Sequence, residues 1–250
     1  MDFPVVNIRD FVNVQTALID SLGINKLHAV MGASMGSLQA YEWASSYPDQ
    51  VERLVPVIGS GWASGNLIGW LNIWAAPIKL DPKWNGGDYY SSEPPTLGLA
   101  ESLKIVTMHA QHWEWANGNF GRRWADQQAN PGLSMNNLFK IEKVLDGAGM
   151  ARAKSSDANH FLYLAKANQL FLTGHGKTPL EGLRKIEAPT LIIHTDEDLV
   201  FFPEEVRETA TLIGADGTPV DMVELQGTRG HLDGVVSIAQ ASDRIRKFLK

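Results

Sequence analysis

Between Lys26 and Ser46 the chain passes from a short apolar run, Lys26-Leu27-His28-Ala29-Val30-Met31, through Gly32-Ala33-Ser34-Met35-Gly36 into a segment of helical pattern from Ser37 to Ser46. An apolar run this short, ending in glycine, reads as a buried strand, so Ser34 is predicted on a sharp turn between a strand and a helix. Beyond Tyr47-Pro48, Val51 to Ile58 reads as a second strand. Strand, helix and strand in that order require two parallel strands joined by a right-handed crossover, which places the chain in the α/β class.

The same alternation resumes late in the sequence. Ala188-Pro189-Thr190-Leu191-Ile192-Ile193 reads as a strand, Pro203 to Leu212 as a helix, Val220 to Leu225 as a strand, and about Val235 to Phe248 as a final helix. Four parallel strands are thus expected. The stretch between the two halves holds most of the tryptophans and breaks such as Asn85-Gly86-Gly87 and Pro94-Pro95, which marks a helical insertion. The predicted division is a core of residues 1–60 and 187–250 carrying a helical lid of residues 61–186. Ahead of the first strand, Asn7-Ile8-Arg9-Asp10 starts a helix, with Asn7 as cap and Asp10 near the positive helix end. Ile8, Phe11, Val12, Leu18, Ile19 and Leu22 give it an apolar stripe that stops at Gly23.

Composition narrows the partners. A formal charge of -6, with basic residues scattered rather than clustered, opposes nucleic acid and anionic membranes, and leaves small molecules as the expected ligands. No segment approaches the run of about 20 apolar residues that a membrane helix needs. The absence of cysteine excludes disulfides, thiolate metal sites and a cysteine nucleophile, and suits the cytoplasm. Met1-Asp2-Phe3-Pro4 shows no basic region followed by an apolar run, so no secretion signal is expected.

A serine hydroxyl is a weak nucleophile and needs exposure, a base and donors aimed at the oxyanion. The tight turn supplies exposure, with Gly32 and Gly36 expected where side chains would collide and the Met35 N–H available to an oxyanion. After the strand Leu191-Ile192-Ile193, the loop His194-Thr195-Asp196-Glu197-Asp198 offers three carboxylates. After the strand ending at Leu225, the loop Gly227-Thr228-Arg229-Gly230-His231 offers a histidine. Serine, acid and histidine in this order, each following a strand, match the triad order of α/β-hydrolases. Other constellations are weaker: His109 and His112 stand three apart on an expected helix, without the accompanying pattern of a zinc site. His194 is expected to be packed, and Gly174-His175-Gly176 lacks the context of a phosphate loop. No bound metal or cofactor is predicted.

The chain resembles the homoserine O-acetyltransferase family of the α/β-hydrolase fold. The resemblance rests on residues Phe3 to Asp10, on Gly32 to Ala40, on Asp81-Pro82-Lys83-Trp84-Asn85-Gly86-Gly87-Asp88-Tyr89-Tyr90, and on Asp157-Ala158-Asn159 with Leu162-Tyr163-Leu164. It covers nearly the whole chain. In that family the acid lies in an Asp-x-x-Phe-Pro-Pro context, which Asp198-Leu199-Val200-Phe201-Phe202-Pro203 matches except at Phe202. The resemblance therefore selects Asp198. It implies Ser34, His231 and Asp198 as catalytic residues, Met35 in the oxyanion hole, and acyl transfer from a small ester or acyl thioester, with acetyl-coenzyme A as an acyl-donor substrate. A carboxylesterase that uses no coenzyme A and a non-catalytic interaction module are the alternatives.

Three positions depart from the family pattern. Lys154 and Phe161 align with an Arg and a Tyr that contact homoserine, and Leu232 stands where an Asp follows the catalytic histidine. A charged substrate end without its partner is costly to bury, so weak selectivity for homoserine is expected. The family also has about four strands ahead of the serine-bearing turn, whose counterparts are not found before Lys26. The strand leading to Ser34 is therefore expected at an open sheet edge, prone to pairing with a second copy or another polypeptide. A second oxyanion donor is expected to be missing.

Overall fold

The computed structural model describes residues 3–250; Met1 and Asp2, part of the stretch inspected for a signal, lie outside it. Four parallel strands, β1 (Val30–Ala33), β2 (Leu54–Val57), β3 (Thr190–His194) and β4 (Val220–Glu224), form one sheet in that spatial order. The first two strands are shorter than their apolar runs. Leu27 and Val51 meet only in an isolated bridge, while β1 continues through Ala33 into the turn. β1 pairs only with β2 among the described residues. Met31 and Ala33 are exposed, whereas β2 and β3 are buried on both faces in the manner of parallel strands.

Helices cover both faces. On one side lie α1 (Ile8–Ser21), α2 (Met35–Ser46) and, later, α9 (Pro203–Gly214), sharing a core with Leu54 and Ile192. On the other, Val55, Val57, Leu191 and Ile193 pack with Ala241, Ile245 and Phe248. The carboxyl-terminal helix expected as one piece is three: α10 (Asp233–Val236), a 3-10 turn (Ile238–Ala241) and α11 (Ser242–Phe248). The break falls at Ser237, which leaves helical geometry at φ -105 and ψ 4 while its N–H still donates to the Asp233 carbonyl at 2.9 Å.

Between β2 and β3 the chain is helical: α3 (Gly65–Leu80), α4 (Thr96–Ala110), α5 (Trp113–Asn119), α6 (Lys140–Ala153), α7 (Ala158–Gln169) and α8 (Pro179–Leu183). Ala75, Ile78, Leu99, Leu103, Ala153 and Leu162 give this cap a core of its own. The cap rejoins the sheet layer through Trp62 and Leu172, which form a bridge.

At the start of α1, the Asn7 side chain accepts from the Arg9 and Asp10 N–H groups, and the Asp10 carboxylate accepts from the Asn7 N–H. This reciprocal box saturates donors that a helix end otherwise leaves free. Ile8 and Val12 are buried, but Leu18 and Leu22 of the predicted stripe are exposed, because α1 packs along α2 on one side only. The joint between the two helices is polar. Glu42, with no exposed side-chain surface, accepts from Arg9 Nε at 2.6 Å, Ser46 Oγ at 2.7 Å and the Gly174 N–H at 2.8 Å. One carboxylate thus ties α1, α2 and the returning cap segment together. Removing one partner of a buried pair leaves an uncompensated charge. Arg9→Ala is expected to destabilise the fold by about 3 kcal/mol, read as a drop of roughly 6 to 12 °C in the thermal midpoint.

Candidate active site

Ser34 occupies φ 55 and ψ -122 between β1 and α2, a conformation that costs any residue with a β-carbon. Its N–H donates to the Val57 carbonyl at 2.9 Å, anchoring the turn to β2. The turn is tight because β1 passes close to the first turn of α2: a β-carbon at Gly32 would lie 2.2 Å from the Gly36 carbonyl oxygen. Gly36 itself faces open space, which corrects the expectation that both glycines are sterically required. The collision is between a side chain at Gly32 and the backbone of Gly36, so only the first position excludes larger residues. Met35 is the first residue of α2. Its N–H therefore has no acceptor within the helix and points from the positive helix end.

His231 bridges the serine and an acid. Its Nε2 lies 2.8 Å from Ser34 Oγ and its Nδ1 2.8 Å from Asp198 Oδ2. A carboxylate only accepts, so Nδ1 carries the proton and Nε2 is left to accept from the serine hydroxyl. Asp198 is 2% exposed, and its other oxygen accepts from the N–H groups of Val200 and Phe201 at 2.8 and 3.1 Å. The three carboxylates of this loop take separate fates. Asp196 binds Arg207 at 2.5 and 2.6 Å, Glu197 pairs with His112 Nε2 at 2.8 Å, and Asp198 turns inward to His231.

The His231 loop is held from two sides. Gly230, at φ 59, passes where a β-carbon would sit 2.9 Å from the His112 N and 3.1 Å from the Glu197 carbonyl, so the loop is wedged between the cap and the acid loop. Asp233 is buried beneath it, accepting from the Arg229 N–H at 2.7 Å and Ser237 Oγ at 2.6 Å. Asp233, one place beyond the position where the family's Asp follows the histidine, thus braces the loop. Leu232 packs its side chain against the main core.

Lys154 and Phe161 lie elsewhere. Lys154 is exposed at the carboxyl-terminal cap of α6 and borders a cavity of about 230 Å³ with Tyr89 and Asp157, while Phe161 packs against the core of the cap. The two cap stretches that carry the family resemblance bind each other. Trp84 Nε1 donates to Asn159 Oδ1 at 3.0 Å, Asn159 Nδ2 donates to the Gly87 carbonyl at 2.8 Å, and the Tyr89 hydroxyl donates to Asp157 at 2.5 Å. That bond to an anion, with burial the larger cause, pushes the Tyr89 pKa up. Their visible work is to lock α7 to the 3-10 segment Pro82–Gly87.

His109 and His112 do not share a helix face. His109 closes α4 and His112 caps α5, and no group of three metal-ligating side chains is found among the described residues. His194 is buried beside Asp196, and burial lowers its pKa. No helix among the described residues is long and apolar enough to cross a membrane.

Comparison with known proteins gives a consistent setting. The family described as the alpha/beta hydrolase fold matches residues 2–224. Homoserine O-acetyltransferase of Methanohalobium evestigatum is 34% identical over 249 residues, covering 100% of this chain and 51% of that protein. The chain spans about half the length of the curated relatives it first matches. Among solved structures, esterase E22 superposes with a TM-score of 0.93 at 41% identity, covering 100% of this chain and 68% of that one. Homoserine O-acetyltransferase from Bacillus anthracis superposes at 0.94 with 30% identity, covering 100% and 67%.

The role of Gly32 is open to direct test. Gly32→Ala is expected to drive β1 and α2 apart, lowering the thermal midpoint by several degrees, while Gly36→Ala is tolerated. Equal midpoints for the two variants would refute the steric account.

Proposed function

The chain belongs to the α/β-hydrolase family, in its homoserine O-acetyltransferase-like branch, and we propose that it hydrolyses small esters through an acyl-enzyme on Ser34. The observation that carries this reading is the continuous hydrogen-bonded chain Ser34–His231–Asp198, with both links at 2.8 Å, on a strained turn at a helix start. Ser34 Oγ attacks the ester carbonyl as His231 Nε2 takes its proton, and Asp198 stabilises the resulting imidazolium. The carbonyl oxygen, now negative, accepts from the Met35 N–H. His231 returns the proton to the departing alcohol as the C–O bond breaks. Water then repeats the sequence on the acyl-enzyme, releasing the acid and restoring Ser34.

Water is favoured as acceptor over homoserine by the side chains around the base. Leu232 puts no charge beside His231, its side chain being packed against the main core, and the nearby Asp233 carboxylate is engaged by the Arg229 N–H and the Ser237 hydroxyl, not presented to a ligand. The 41% identity to an esterase supports the same choice. Acetyl transfer from acetyl-coenzyme A to homoserine is the second reading, favoured by the curated relatives at 34% identity. Product analysis decides between the two: with acetyl-coenzyme A and homoserine present, no O-acetylhomoserine is expected, and its formation would overturn the hydrolase assignment.

A fluorophosphonate probe is expected to label Ser34, with labelling abolished in Ser34→Ala and reduced in His231→Ala. Folded protein that resists labelling would favour a non-catalytic binding role. Asp198→Asn is expected to lower kcat by about 10⁴-fold, because the amide stabilises the wrong imidazole tautomer.

A further inference from the structure

A line of hydrogen bonds, each of 2.8 Å, runs from the cap to the nucleophile. Ser34 Oγ to His231 Nε2 and His231 Nδ1 to Asp198 Oδ2 are the triad itself. The other Asp198 oxygen accepts from the Val200 N–H, and the Leu199 carbonyl lies against Nε2 of His109, near the end of α4. The Leu199 carbonyl and the Val200 N–H belong to one peptide unit, which is planar and points the two groups in opposite directions. His109 therefore holds one end of the peptide whose other end holds Asp198.

The histidine is fixed in plane and in protonation. His109 is 6% exposed, Trp70 stacks on its ring at 4.1 Å and 20°, and Trp74 meets the ring edge-on at 5.5 Å and 72°. A carbonyl only accepts, so Nε2 carries the proton and donates. Burial holds the His109 pKa below the usual imidazole value, so the ring is neutral near pH 7. Its Nδ1, buried and without a partner among the described residues, then carries the lone pair. No backbone N–H among the described residues reaches the Leu199 carbonyl, so the bond from His109 is what sets this peptide from outside the acid loop. The same stretch of cap also holds the base loop, through Arg229 Nε donating to Gln111 Oε1 at 3.0 Å.

We propose that His109 is a positioning residue for the triad acid, acting through the Leu199–Val200 peptide on the direction of the Asp198 carboxylate. A donor on the carbonyl polarises the peptide and strengthens the N–H bond at its far end. It also sets the tilt of the peptide plane, and with it the side from which the Asp198 carboxylate is held. That carboxylate oxygen has a second donor, the Phe201 N–H at 3.1 Å, so loss of His109 lets the group pivot without setting it free. The opposite oxygen then meets the His231 Nδ1–H off axis, and the imidazole becomes a weaker base toward Ser34. The seating of the cap thus reaches the nucleophile through bonds. The effect on turnover rests on the ester-hydrolase reading above, whereas the alignment of Asp198 and His231 does not.

The test compares two variants that lack the donor, His109→Phe and His109→Met, with His109→Gln, whose amide N–H can reach the same carbonyl. For ethyl butyrate, kcat is expected to fall about 5- to 10-fold without the donor, the worth of one hydrogen bond, with KM changed by less than about 2-fold. His109→Gln is expected to restore most of the loss. By proton NMR, the far-downfield signal of the His231–Asp198 bond, assigned by its absence in His231→Ala, is expected to move upfield without the donor and to return in His109→Gln. In unaltered protein carrying nitrogen-labelled histidine, His109 is expected as the neutral Nε2–H tautomer. An Nδ1–H tautomer, a downfield signal unmoved in both donor-free variants, or a His109→Gln no better than they are overturns the proposal. The tautomer measurement decides even where a variant fails to fold. Unaltered protein that hydrolyses no ester, alongside a downfield signal that moves as expected, sinks the hydrolase reading and leaves the positioning role standing.

Discussion

The backbone contact between Gly32 and Gly36 sets the geometry on which the rest of the site depends. With no side chain at Gly32, β1 closes to within 2.2 Å of the Gly36 carbonyl, measured from where a β-carbon would be. The strand must then become a helix within one residue, and that residue is Ser34, forced to positive φ. A conformation of this kind costs on the order of 1–3 kcal/mol and survives only where its surroundings over-determine it. Here they do. Ser34 is bonded to β2 through its N–H, and α2 is buried along most of its length, with the fully buried Glu42 binding it to α1 and to the cap.

The cap does more than cover. Its α4–α5 junction presses on Gly230, and His112 reaches Glu197, so both loops that carry partners of Ser34 are pinned from outside the sheet layer. Farther out, Trp84, Tyr89, Asp157 and Asn159 form a closed polar network that holds α7 in register with the rest of the cap. The family's cap signature thus has a mechanical meaning: its polar atoms are spent on one another.

Much of this was legible along the chain. Ser34 stood between a strand and a helix, and a turn so placed has few uses. His231 followed the next late strand. The two late strands and the strand-helix-strand unit were readable because parallel strands, buried on both faces, leave continuous apolar runs. Their ends were less clear. Lys26 to Ala29 belongs to the same run, yet only Leu27 of it finds a bridge before β1 starts at Val30, because pairing depends on how far β2 extends beside it. The final helix breaks at Ser237, where the backbone leaves helical geometry, and periodicity does not record such a break.

The sequence by itself determined the class of fold, the serine and the histidine, since these follow from local patterns: apolar runs, a glycine turn, and loops after strands. It could not separate Asp196, Glu197 and Asp198 without a resemblance, because three neighbouring carboxylates on one loop look alike. The tertiary structure separates them by what each can reach: an arginine on α9, a histidine at the cap, and His231. In the same way, only packing sets Trp70 and Trp74 against His109, since residues on different helices become neighbours through the burial of their faces and not through their spacing in the chain.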